Sequence, residues 1–214
     1  MPADRPLVSV VIPAYNAAAT LERALKSAID QTYRPKEIIV VNDASRDATG
    51  AIAEAFADYS VRVVHAARNS GSASTRNKGT ADAQGAYVAF LDADDEWLPG
   101  KLEAQVAAME ANPDWAICTG DTQWFTLDGR FLRASPAVPA DKLGKEAWRH
   151  LLAEPFINSS VAMVRTSALR ATGDFDTHLA VGEDQDMWIR VALTGSVGYV
   201  KQSLARVYVM PGGL

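Results

Sequence analysis

The sequence predicts an α/β chain built on a mostly parallel sheet with helices on both faces. Short apolar, β-branched runs recur at residues 7–12, 38–41, 61–64 and 86–91. They lack polar alternation, as strands buried on both faces do. Helical stripes separate them: Leu21, Ala24, Leu25, Ala28 and Ile29 repeat at i, i+3, i+4, i+7 and i+8. Each run also ends in polar residues rather than a hydrophobic cap. Open α/β sheets bind ligands outside the carboxyl ends of their strands, so these ends are the candidate site.

Taken in order, the strand at 7–12 is stopped by Pro13, and Asn16 suits the cap of the first helix. The strand at 38–41 leads into Asn42-Asp43-Ala-Ser45, and Ile52, Ala55 and Phe56 mark the next helical stripe. After the third strand, a Gly- and Ser-rich stretch at 69–74 opens a helix over about 74–83. The run at 86–91 then stops in Asp92, Asp94 and Asp95. A helix after Pro99 carries Leu102, Val106 and Met109 and ends near Asn112-Pro113. Beyond it the pattern loosens. Strands are expected at 115–118 and 122–127, with Asp128-Gly129 turning the chain into 130–132. A loop with Pro136 and Pro139, a short helix around Trp148, a strand at 161–164 and a helix opened by Gly182-Glu183-Asp184 follow. Short strands at 197–200 and 206–209 close the series. The reading is one domain, 1–214, with a nucleotide-binding half over about 1–98 and a substrate half over about 99–214.

Composition narrows the function. Of the 214 residues, 48% are hydrophobic and 22% charged, which is ordinary for a globular domain. A net charge of −5 without any basic cluster argues against nucleic acid. The single cysteine, Cys118, excludes an internal disulfide, fits a reducing compartment and, within an apolar run, reads as core. No apolar run approaches the roughly 18 residues that span a bilayer, and Asp4-Arg5 ahead of the first strand is unlike a signal peptide. The expected place is the cytoplasm, with contact at the inner face of a membrane left open.

The strand ends carry the chemistry. Asp92, Asp94 and Asp95 repel one another unless a cation or donor groups lie between them. Oxygen-only ligands of this kind suit Mg2+ or Mn2+, against the plainer alternative of a solvated acidic loop. Pro13-Ala-Tyr15-Asn16 offers an aromatic face beside a fixed turn, suited to a flat base, though Tyr15 could equally pack on the surface. Asp43, at the carboxyl edge of its strand, could accept from a base or ribose, cap the helix ahead, or both. Arg76 sits at a helix start after a glycine-containing loop, where a cation and free amides favour phosphate.

As a set, Pro13-Ala-Tyr-Asn16, Val40-Val-Asn-Asp-Ala-Ser45, Ala73-Ser-Thr-Arg-Asn-Lys-Gly79, Phe90-Leu-Asp-Ala-Asp-Asp95 and Gly182-Glu-Asp-Gln-Asp-Met-Trp-Ile-Arg190 resemble the motif series of family 2 glycosyltransferases. Gly173-Asp-Phe-Asp176 resembles that family's approach to its catalytic acid. The resemblance runs in order from about residue 7 to 193 and implies a GT-A fold and inverting transfer from a UDP- or dTDP-linked sugar. It implies that Tyr15 stacks on the nucleobase, Asp43 binds the base, Asp92 holds the ribose and Arg76 faces the nucleotide or its phosphates. Asp94 would ligate Mn2+ or Mg2+ on the diphosphate, with Asp184 as general base and Glu183 shaping the acceptor pocket. The partners implied are a nucleotide-sugar donor and a saccharide, lipid-linked or other hydroxyl acceptor. Two departures stand out: Asn42 replaces the commoner acid before Asp43, and Val209-Met210 stand where many members place an arginine and a histidine before Pro-Gly. The chain also stops at Leu214, where relatives usually continue. A non-catalytic nucleotide-sugar binding module and a haloacid dehalogenase-type phosphatase, which also uses Asp-x-Asp after a strand, are the alternatives.

Overall fold

The computed structural model describes residues 5–209; the expectation for Met210 and the Pro-Gly tail lies outside them. The chain forms β1 (Val8–Ala14), α1 (Leu21–Ile29), β2 (Lys36–Asn42), α2 (Thr49–Glu54), β3 (Val61–His65), α3 (Gly71–Ala81), β4 (Tyr87–Phe90) and β5 (Glu96–Trp97). Then follow α4 (Lys101–Ala111), β6 (Trp115–Thr126), β7 (Phe131–Ala134), α5 (Ala147–Ala153), β8 (Met163–Arg165), α6 (Thr166–Thr172), α7 (Glu183–Ala192) and β9 (Ser196–Val209).

One sheet runs β3-β2-β1-β4-β8-β6-β9-β5, and β7 extends it from β6. The expected parallel core is β3, β2, β1 and β4. Antiparallel β8 joins it to the mixed second half, where β6 and β9 run parallel. Side chains alternate across a strand, and here both faces are covered. Val8, Val10 and Ile12 pack with Leu21 and Leu25 of α1 and Leu102 and Met109 of α4. Val11 turns the other way, into a cluster with Ala73 of α3 and Met187, Trp188 and Val191 of α7. All four β1 side chains are fully buried, which is why the run lacks alternation.

The structure corrects four local expectations. Asn16 does not cap α1, which begins after Thr20; Asn16 takes φ +48° in a loop. The helix expected from about residue 74 starts at Gly71. Residues 115–126 are one strand, because Gly120–Thr122 is a register shift against β9 rather than a break. A side chain at Gly120 would lie 2.5 Å from Leu204 Cδ1, so the glycine permits close strand approach and does not end the strand. β9 is likewise continuous, advancing from Val200 to Ala205 while β6 advances from Gly120 to Thr122. Its exposed Lys201 and Gln202 fall inside that irregularity.

Candidate active site

A cleft of about 450 Å³ opens at the carboxyl ends of β1, β2 and β4. It gathers Pro13, Tyr15, Asn16, Asp43, Arg76, Asp92 and Asp94. Tyr15 is 49% exposed, unusual for a large aromatic residue lining a cleft, so its ring is available to a flat ligand. Asn16 ties two strand ends together: its Oδ1 accepts from Arg46 N at 2.9 Å and its own amide donates to Ser45 Oγ at 3.0 Å.

Asp43 is buried beneath the start of α3. Its carboxylate accepts from the amides of Ser70 and Gly71 and from Ser70 Oγ, all at 2.9 Å at their nearest. A carboxylate at a helix N-terminus satisfies amides that have no partner within the helix. The helix it serves begins 28 residues downstream, not in the segment directly after it. Asn42 accepts from Ser45 N at 3.1 Å and meets His65 Nδ1 of β3 at 3.1 Å, an amide-type pairing in which an acid would lack the donor.

Arg76 is the centre of the site. It is 6% exposed, and its two terminal nitrogens donate to Asp92 Oδ1 and Glu183 Oε1, each at 2.8 Å. Burial alone would weaken its charge, but Asp92 and Glu183, then Asp184, raise its pKa and hold it cationic. Burial likewise acts to raise the Glu183 carboxyl. Ser72 Oγ, the Glu183 backbone amide and Arg76 outweigh it and hold that carboxyl below its ordinary range. One guanidinium thus fastens Asp92, just past β4, to the α7 start.

The acids beyond β4 differ. Asp94 belongs to an exposed residue, yet nearby protein and the Asp92 charge push its carboxyl upward. The residue's openness describes the side chain as a whole, while the upward push reflects the walls and charge around its oxygens. Asp95 is buried, accepts from Ser160 Oγ and from Tyr208 N at 3.1 Å, and is pushed well up by burial and by Asp92. It anchors the acidic loop to β9 and does not reach the cleft's lining. Among the described residues no group of three His, Cys, Asp or Glu side chains is placed to hold a metal alone. Asp92 and Asp94 on one cleft wall fit a Mg2+-type ion, which binds through one or two carboxylates and completes its shell with substrate phosphate oxygens.

Asp184 occupies a different wall. Its Oδ2 accepts from Ser159 Oγ at 2.9 Å, its Oδ1 from Gln185 N at 2.8 Å, and it lines a second cleft with Asp121, Trp124 and Asn158. The start of α7 is placed by an aromatic cluster. Phe175 and Trp188 meet Phe90 of β4 edge-on at 5.7 and 5.4 Å between ring centres. Asn77 of α3 clamps the Phe175 backbone through two bonds of 2.9 and 2.7 Å. Ser72, Asn77, Ser159 and Ser160 were not singled out from the sequence as site residues; serine and asparagine donors have no spacing signature until the fold brings their acceptors to them.

Residues 9–171 match the sequence model described as Glycosyl transferase family 2, a match that ends before Glu183 and Asp184. The putative teichuronic acid biosynthesis glycosyltransferase TuaG of Bacillus subtilis is 40% identical over 140 residues, 64% of this chain and 52% of its own. An uncharacterized glycosyltransferase of Rickettsia bellii is 31% identical over 207 residues, 94% of this chain and 29% of its own. The chain therefore spans about half of the first and under a third of the second. Among solved structures, S. aureus TarS 1-349 in complex with UDP-GlcNAc superposes with a TM-score of 0.81 at 21% identity, covering 96% of this chain and 59% of that one. The mannosyltransferase PcManGT from Pyrobaculum calidifontis, in complex with GDP-Man and Mn2+, gives 0.73 at 23%, covering 96% and 58%. At such identity these two establish the fold. With the family match over most of the chain and the parallel first-half sheet in place, the chain belongs to glycosyltransferase family 2 and has the GT-A fold.

Proposed function

We propose that this domain catalyses inverting transfer of a sugar from a nucleoside diphosphate donor, UDP- or dTDP-linked, to an acceptor hydroxyl. The observation that carries this is the Asp92–Arg76–Glu183 bridge, which joins the nucleotide-side cleft to the helix bearing Asp184. Tyr15 would cover the base, with Pro13 and Asn16 setting its loop. Asp43 would meet the base while holding the start of α3, and Asp92 would meet the ribose. Arg76 keeps Asp92 and Glu183 oriented, with its charge close to where a diphosphate would lie. Asp94, beside Asp92, would hold Mn2+ or Mg2+; such an ion, when bound, offsets the charge of a diphosphate leaving group. Asp184 would take the acceptor hydroxyl's proton as the acceptor oxygen bonds to the anomeric carbon and the bond to the diphosphate oxygen breaks. One base and one displacement invert that carbon.

Within this reading residues 1–98 bind the donor and 99–214 the acceptor, a saccharide, lipid-linked or other hydroxyl compound, on the cytoplasmic side. No helix of the described residues is long and apolar enough to cross a membrane. Family membership sets the phosphatase alternative aside. Calorimetry with nucleoside diphosphates tests the donor site. Binding should require a divalent ion, and Asp94→Ala should remove that requirement along with most of the affinity. Equal wild-type binding with and without EDTA would reject Asp94 as the ligand. Donor binding with no turnover on any acceptor would favour a binding module instead.

A further inference from the structure

The second cleft, also about 450 Å³, is walled by β6, β7 and the segment before the one-turn helix Ser159–Val161, with Asp184 in its lining. Trp124 and Arg133 stand opposite each other in the β6–β7 ladder and both line it. The indole is fixed, since its Nε1 donates to Thr122 Oγ1 at 2.9 Å. The Arg133 guanidinium lies over that ring, 4.7 Å from its centre. Stacking on an indole fixes a guanidinium in place without neutralising it. Two other arginines near this sheet meet acids, Arg206 with Glu96 and Arg190 with Asp186, and Arg165 of β8 is held by carbonyls. Arg133 is exposed, and its guanidinium has no ion pair or hydrogen bond among the described residues. The acids of the cleft are engaged elsewhere: Glu154 with Lys142 at 2.6 Å, Asp121 with the Tyr199 hydroxyl and Asp184 with Ser159.

Resting on Asp184 as the base, we propose that this cleft takes an acceptor saccharide bearing an oxyanion group, a carboxylate or a phosphate, and that Arg133 reads that group. A planar guanidinium fork matches both anions with two parallel hydrogen bonds. Holding it beforehand on Trp124 lowers the ordering cost of binding. Asp121 and Asp184 accept hydrogen bonds and so suit the hydroxyls of the same sugar.

Saturation-transfer NMR on protein saturated with UDP and Mg2+ tests this, with glucose, glucuronate, glucose 6-phosphate, galactose and galacturonate as probes. At least one acidic sugar should bind about tenfold more tightly than its neutral counterpart, the effect of one charge-assisted hydrogen-bonded contact. Separate carboxylate and phosphate probes show which anion is read. Arg133→Gln should erase the preference, Arg133→Lys should restore part of it, and UDP affinity should be the same in all three proteins. Equal binding of acidic and neutral sugars, no sugar binding, or a preference that survives Arg133→Gln would overturn the inference. If neither UDP nor dTDP binds the wild-type protein, the glycosyltransfer reading fails and this inference with it. If UDP binds without any anion preference, only this inference fails.

Discussion

The two halves of the molecule assemble their sites by different means. In the first half, the proposed donor half, the polar residues at the strand ends bond to one another before any ligand arrives. Asp43 holds the start of α3, Asn16 holds Arg46, and Asp47 accepts from Thr49 N and Ala18 N at 3.0 Å. The same side chains therefore fold the loops and line the cleft. In the second half, the proposed acceptor half, position comes from register. Two long strands with offsets at Gly120–Thr122 carry Asp121, Trp124 and, through the hairpin, Arg133 to one wall. Loops held by their own motif residues leave a compact signature in the sequence, whereas a wall set by cross-strand register does not. Donor binding should thus be insensitive to changes in the β6–β7 wall, and acceptor use should not.

Asp184→Asn should give the largest effect and sharpens that division most. The change is nearly isosteric and keeps the bond from Ser159, so donor affinity should hold. It removes the proton acceptor, so turnover should fall about 10²–10⁴-fold, in kcat and kcat/KM together. Steady-state kinetics beside calorimetry of the donor would check it. A parallel loss of donor affinity would break the division, and near-normal turnover would place the base elsewhere. Tyr15→Ala should do less. It should weaken nucleoside diphosphate and nucleotide-sugar alike by about 1–3 kcal/mol, the usual loss of a base stack, while inorganic pyrophosphate binding stays unchanged. Unchanged nucleotide affinity would move the base away from β1.

The smallest effect on function belongs to Lys101, fully buried at the start of α4, with its Nζ donating to Gln105 Oε1 at 2.6 Å. Gln105 in turn donates to the carbonyls of Cys118 and Val161 at 3.2 and 2.7 Å, so this cluster supports the acceptor-half strands. Burial pushes the Lys101 ammonium from 10.5 down to about 7. Between those values the unfolded chain holds a proton that the folded chain has released, so stability rises with pH there. Lys101→Met should abolish this rise, stabilising the protein most at or below pH 7 and little near pH 10, with turnover unchanged. Urea midpoints across that range would show it; an unaltered pH slope would mean that Lys101 stays charged when folded.

Much of the donor half was legible because each apolar run stops sharply. Leu91 ends a buried stretch and Asp92 begins the site, with no intervening loop to guess. Other features needed the fold. Asn16 looks like a helix cap, yet its partner is Arg46, 30 residues away. Asp95 sits in the same acidic run as Asp94, but only β9 shows that it is a buried anchor. The gap expected between strands at 118 and 122 closes because Gly120 lets Leu204 pack where a side chain would go. The sequence marks Lys101 as a charge at a helix start, and nothing local reveals that it is fully buried against Trp97 and Gln105.

The central claim is that a carboxylate of one half deprotonates the attacking hydroxyl for a single displacement on a donor held by the other half. The anomer released first reports this directly. With a nucleoside diphosphate α-sugar that the protein turns over slowly on water, proton NMR should show the β-anomer of the free sugar appearing before mutarotation. Appearance of the α-anomer first would contradict single displacement and the role given to Asp184.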